Sequence, residues 1–141
     1  MDGNPVNLVR AVSKAVGRGL DVNVNEDCFT IQRGCYILNT WGYGPVYDYG
    51  IYIYGPYSEE LAKDCEMMGS ISDGFTCVPD DVIDQLHGIF EKGPGYAEAY
   101  AMVLLVKNNN HGVSFKTMQK VALNITPYLK DEVEEVCALL L

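Results

Sequence analysis

Five cysteines and two histidines are the side chains of this 141-residue sequence best suited to nucleophilic or metal chemistry. Cys28, Cys35, Cys65, Cys77 and Cys137 are odd in number and widely spaced, with no Cys-x-x-Cys pair. A zinc site ordinarily draws on one tight ligand pair, and only His87 and His111 could supplement the thiols. Most of these cysteines fall on apolar helical stripes, where a reduced Cys packs as a small hydrophobe. They read as buried, reduced and inert, and no metal, cofactor or disulfide framework is expected. His87 falls on the exposed side of an amphipathic pattern and His111 in an Asn-rich loop. Neither adjoins, in sequence, a Cys or Ser that it could activate. Asp80, Asp81 and Asp84 read as a helix N-terminus rather than as paired catalytic carboxylates. Gly17-Arg18-Gly19 and Gly93-Pro94-Gly95 are too short for a phosphate loop and lack the strand that would precede one. No catalytic residue is assigned.

The unusual segment is aromatic. Six of the ten tyrosines and the only tryptophan lie between Trp41 and Tyr57. Tyrosine buries a large ring and keeps a hydroxyl, which suits a binding surface and a small core alike. Alternation would place Tyr47, Tyr49, Ile51 and Ile53 on one side and Tyr52 and Tyr54 on the other. Trp41, Tyr43, Tyr47, Tyr52, Tyr54 and Tyr57 are the candidate partner-binding residues, with core packing as the competing reading.

The elements that must position them are mostly helical. Asn4-Pro5 opens a helix bearing Val6, Val9, Val12 and Val16, which Gly17-Arg18-Gly19 stops. Its Arg10, Lys14 and Arg18 form a basic stripe that reads as a solvated face. A second helix runs from about Cys28 to Thr40, with Ile31, Cys35 and Leu38 inward. An irregular stretch and a short extended segment follow, and Gly55-Pro56-Tyr57-Ser58 reads as a turn. Ser58 caps a third helix with Leu61, Cys65 and Met68 buried. Asp73-Gly74 predicts a hairpin between 70–72 and 75–78. Asp80 or Asp81 caps the next helix, and Tyr96 to Lys107, apolar nearly all round, is the central one. Ser114 and Thr126-Pro127 open the last two, the final one running to the last residue in a way that a second chain could complete. The expected fold is one mainly α, winged-helix-like domain over residues 1–141 with a small β-hairpin.

Composition bounds the function. Apolar residues make up 48% and charged residues 21%, the balance of an ordinary globular protein. The longest apolar run, Ala99 to Val106, is far short of the roughly 20 residues that span a bilayer. The polar start has no secretory pattern, so a cytoplasmic location is expected. Net charge is −9, and the half after residue 57 carries fourteen acids against six bases. Without a basic cluster, nucleic-acid binding is not expected.

Two stretches resemble a known pattern. Phe29-Thr30-Ile31-Gln32-Arg33-Gly34-Cys35-Tyr36-Ile37-Leu38 looks like the Leu-Gln-Lys-Leu-x-Tyr-Leu-Leu helix of the YwgA-like family of uncharacterised prokaryotic proteins. The run from Tyr52 through Gly55-Pro56-Tyr57-Ser58 to Leu61 is similar to that family's Tyr-Gly-Pro-Tyr-Ser-x-x-Leu signature. The likeness extends over residues 25–141, and the Panacea domain of antitoxins is a more distant relation. Ile31, Arg33 and Gly34 depart from the family pattern. The resemblance implies a helical, winged-helix-like domain without an established activity, and the Panacea likeness implies a protein partner. Gln32, Tyr36, Gly55, Pro56 and Ser58 are the family-motif residues, with a packing role expected. The functional expectation is a non-enzymatic interaction or regulatory module that binds a protein partner, with a homodimer open. The alternatives are a winged-helix DNA-binding regulator and a small Cys/His hydrolase.

Overall fold

The computed structural model describes residues 4–52, 55–71 and 74–141. Helix α1 (Pro5–Val16) opens as its first residues dictate. Asn4 accepts the Val6 N–H at 3.0 Å, and Pro5 takes a position whose missing donor costs nothing. The helix ends at Gly17, whose φ of +75° turns its N–H back to the Ser13 and Lys14 carbonyls. Strand β1 (Leu20–Asp21) leads to α2 (Asn25–Thr40). After the irregular stretch 41–49 come β2 (Gly50–Tyr52), β3 (Gly55–Tyr57), α3 (Glu59–Met68) and β4 (Ser70–Ile71). The rest is helical: α4 (Asp80–Glu91), α5 (Pro94–Asn109), α6 (Phe115–Ile125), a 3-10 turn Pro127–Leu129 and α7 (Lys130–Leu140). The fold is mainly α with a small β-hairpin.

Helix α5 is buried at every residue from Tyr96 to Val106 and touches α2, α4, α6, α7 and β3. That is the central place its all-round apolar sequence requires. Helix α1 lies against α2, α3 and α4. Its approach to α2 is close: a Cβ on Gly34 would stand 2.6 Å from Val12 Cγ2. Valine is stiff at its Cβ, so only a glycine at 34 allows this helix separation.

Several local expectations are corrected. No return strand follows β4 among the described residues, and Ser72 and Asp73 lie outside them. Ser70 and Ile71 instead pair antiparallel with Asp21 and Leu20. Thr76 Oγ1 donates to the Asn7 carbonyl at 2.7 Å, so α1 supplies a partner that the second wing strand would have had. The hairpin lies before α3, with Gly50 opposite Tyr57 and Tyr52 opposite Gly55. Gly55-Pro56-Tyr57 is therefore strand rather than turn, and Pro56 is tolerated because both strands of a two-stranded ribbon are edges. At α4 the cap position belongs to Pro79, and Asp80 and Asp81 occupy the first turn, where their charge meets the helix dipole. Thr126-Pro127 opens the 3-10 turn rather than α7 itself. No helix among the described residues is long and apolar enough to cross a membrane.

Candidate functional site

The irregular stretch after α2 is organised by Asn39, a residue the sequence reading passed over. Its Nδ2 donates to the carbonyls of Tyr43 (2.7 Å) and Pro45 (3.0 Å). Its Oδ1 accepts from the Tyr47 N–H (3.2 Å) and the Tyr49 hydroxyl (2.9 Å). One amide thus replaces the backbone pairing that a loop rich in Gly and Pro cannot make for itself. An Asn in the last turn of a helix, just before such a loop, is the signal that could have marked it. Tyr47 donates its hydroxyl to Asp64 Oδ2 of α3 at 2.7 Å, and the Tyr49 ring stands edge-on to Tyr36 at 4.9 Å between centroids. Burial, then the Asp64 bond, pushes the Tyr47 phenol up, and burial does the same for Tyr49, so both stay protonated. Tyr47 and Tyr49 therefore face the core together while Val46, Asp48 and Tyr52 are exposed, so the expected alternation describes these rings and fails at Ile51, which is exposed instead of inward.

Gln32, Tyr36, Gly55, Pro56 and Ser58 form a second inward network. Gln32 is buried and meets Ser58 twice: Nε2 donates to the Ser58 carbonyl at 3.0 Å, and Oε1 accepts the Ser58 N–H at 2.8 Å. Ser58 Oγ in turn accepts the Leu61 N–H at 3.2 Å, capping α3 as expected. Gly55 and Pro56 are buried beside this joint, and the Tyr36 hydroxyl accepts from Asn108 of α5 at 2.9 Å. Motif and aromatic segment together fix β3 and α3 onto α2.

What remains exposed is divided between two places. On the hairpin, Tyr52 packs on Tyr57 at 5.0 Å between ring centroids, Ile51 and Tyr52 present their side chains outward, and Val46 does so in the irregular stretch before it. Tyr54 lies outside the described residues. Trp41 belongs elsewhere, to an open groove of about 300 Å³ between the end of α2, α4, the start of α5 and α7. Tyr96, Tyr100 and Ile89 are buried along it, while Gln85, Gly88 and Lys92 of α4 and Leu139 of α7 are exposed. Tyr43 is half-buried against the core. The five candidates among the described residues are thus not one wall: they separate into groove, inward network and hairpin.

Gly88 is the informative residue of the groove. Glycine inside a helix costs about 1 kcal/mol relative to alanine. Elsewhere in the chain such a cost has an internal reason, as at Gly34. At Gly88 a Cβ would meet nothing within 4 Å. The space above it is left open by the fold and required by no neighbour.

A larger cleft, about 440 Å³, is lined by Arg18, Glu26, Thr30, Arg33, His87, Phe90 and Glu91 among others. Arg18, Arg33 and the His87–Glu91 couple in it have opposite charges beside them. Arg18 meets Asp27 at 2.8 Å, Arg33 meets Glu98 at 3.0 Å, and His87 Nε2 meets Glu91 at 3.1 Å. His87 Nδ1 lies 2.8 Å from the Ala15 carbonyl, which can only accept, so Nδ1 carries a proton. Nε2 then faces a carboxylate, which favours a second proton there. The backbone bond to Ala15, and next the Glu91 bond, raise the His87 pKa above its usual 6.5. A raised folded-state pKa stabilises fully below the unfolded value and loses that contribution as pH rises through the folded one. Thermal melts across about pH 6–8 are expected to show stability falling with pH, and His87→Gln to flatten the slope.

Four of the five thiols are poor nucleophiles. Burial raises Cys35 and pushes Cys65 up to about 12, and it also raises Cys28 and Cys137. Cys77 is exposed. No group of three or more metal-ligating side chains converges among the described residues. Comparison with family models, curated proteins and solved structures finds no match to this chain.

Proposed function

We propose that the protein is a non-enzymatic binding module that docks a protein partner along the groove between Trp41 and Leu139. The observation that carries this reading is Gly88: helix α4 bears a destabilising glycine at an open position that no internal contact explains. An external occupant that comes close to the α4 backbone accounts for it. The aromatic floor supports the same reading, because Trp and Tyr rings supply contact area at low ordering cost. The more distant likeness to the Panacea domain implies a partner protein as well. Duplex DNA is a weaker reading: α3 carries Glu59, Glu60, Asp64 and Glu66 against Lys63 alone, which repels phosphate.

Gly88→Ala tests the proposal with two readouts of opposite sign. Melting of the monomeric chain, at a concentration low enough to avoid association, is expected to rise, by about 1 kcal/mol from helix propensity alone. Capture of protein partners from cell extract is expected to fall, as it does for Trp41→Ala, while Lys116→Ala on α6 leaves it unchanged. Capture that is undiminished by Gly88→Ala would remove the groove as the docking site.

A further inference from the structure

We infer that the occupant of this groove is a second copy of the same chain, an inference that rests on reading the groove as a docking site. A two-fold contact brings one patch against itself, so a single patch must carry both a projection and the recess that takes it. This patch carries both. Leu139 is 65% exposed on α7 at the rim, and the recess beside Gly88 is floored by Tyr96 and Tyr100. A partner of unrelated sequence would need only the recess. The exposed leucine beside it is what a partner carrying the same recess needs.

The charges agree. The chain has a net charge of −9, so two copies repel at long range and can close only where the local charge cancels. Lys92 is the charged residue lining the groove, and its Nζ lies 3.0 Å from Glu135 of α7 and 4.6 Å from the Tyr96 ring centroid. A neighbouring pair of opposite charges is complementary to its own two-fold image. In the dimer Leu139 of each copy enters the other's recess at Gly88, and Lys92 of each faces Glu135 of the other. The contact is apolar at its centre while the repulsion is long-range and screened, so association strengthens as salt is raised.

Sedimentation of the full chain at micromolar concentration tests this. The expected mass is twice 15.6 kDa, with the dimer favoured by added salt. Gly88→Ala and Leu139→Asp should each weaken association by about tenfold or more, the scale of a central interface position. Lys92→Glu alone and Glu135→Lys alone should also weaken it, and mixing these two variants should restore a dimer, because each then meets opposite charges on the other. Circular dichroism of every variant confirms that loss of association is not loss of fold. A single-copy mass at all concentrations, or a dimer indifferent to both Gly88→Ala and Leu139→Asp, would overturn the second copy as occupant. So would a mixture that fails to associate. If the chain is monomeric and Gly88→Ala still reduces capture of another protein, the docking site stands and only its occupant is wrong.

Discussion

Glu98→Ala is expected to destabilise the protein by about 3–5 kcal/mol, the cost of leaving a buried charge without its counterion. Arg33 on α2 and Glu98 on α5 are joined at 3.0 Å, with their side chains only 6% and 9% exposed. Tyr128 donates its hydroxyl to the other Glu98 oxygen, and the Arg33 guanidinium lies 5.8 Å from the Phe29 ring centroid. Burial lowers the Arg33 pKa, and the Glu98 carboxylate is the largest influence acting to hold its charge. Removing that carboxylate leaves a guanidinium that stays ionised at every accessible pH and has lost its buried anion. Two desolvated charges are costly even when paired, so replacing both is a different experiment from replacing one. Arg33→Met combined with Glu98→Leu is expected to lie within about 2 kcal/mol of the parent, or above it. Urea denaturation of the single and double variants checks both statements. A loss below about 1 kcal/mol for Glu98→Ala would mean that water solvates Arg33 in the adjoining cleft.

That ion pair joins residues 65 positions apart, and nothing in the local sequence announces it. What was legible was what local chemistry decides. Asn4-Pro5, Ser58 and Ser114 start helices where expected because a cap uses only the next three residues. The stretch Tyr96 to Lys107, apolar nearly all round, identified the central helix because a helix buried on all sides has no other place. Strand pairing was not legible in the same way. Asp73-Gly74 is a strong local hairpin signal, yet the strand before it pairs with Leu20–Asp21, far back in the chain. Gly55-Pro56 looked like a turn because Gly and Pro interrupt most elements, and the edge position that exempts Pro56 is a tertiary fact. Alternation among the tyrosines was legible in part: Tyr47 and Tyr49 face inward and Tyr52 outward as it requires, but Ile51 is exposed on the two-stranded ribbon instead of inward. Gly88 was visible as a glycine within a helical pattern, but its meaning came only from the empty space above it.

Gln32→Ala should cost about 3 kcal/mol and act at a distance from its own helix. Gln32 makes two bonds to the Ser58 backbone, and the losses differ in kind. The Ser58 carbonyl keeps the Ala62 N–H at 3.1 Å, so that acceptor remains satisfied. The Ser58 N–H loses the Gln32 oxygen, and Ser58 is fully buried, which costs about 1–3 kcal/mol for the orphaned donor. The cavity left by a side chain only 3% exposed adds to this. Gln32→Glu separates the two losses, since a carboxylate keeps an acceptor for the Ser58 N–H and gives up the donor to its carbonyl. At neutral pH it buries a charge and should be as damaging as alanine. At lower pH, once protonated, it regains a donor and should recover toward the parent. Denaturation of the three proteins at neutral and acidic pH reads this directly, with hydrogen exchange at the α3 N-terminus as the local measure. Exchange there should accelerate in Gln32→Ala while α5 stays protected. If α3 opens no faster than in the parent, the joint between α2 and α3 is held by packing of Pro56 and Leu61, and the paired amide contacts are incidental.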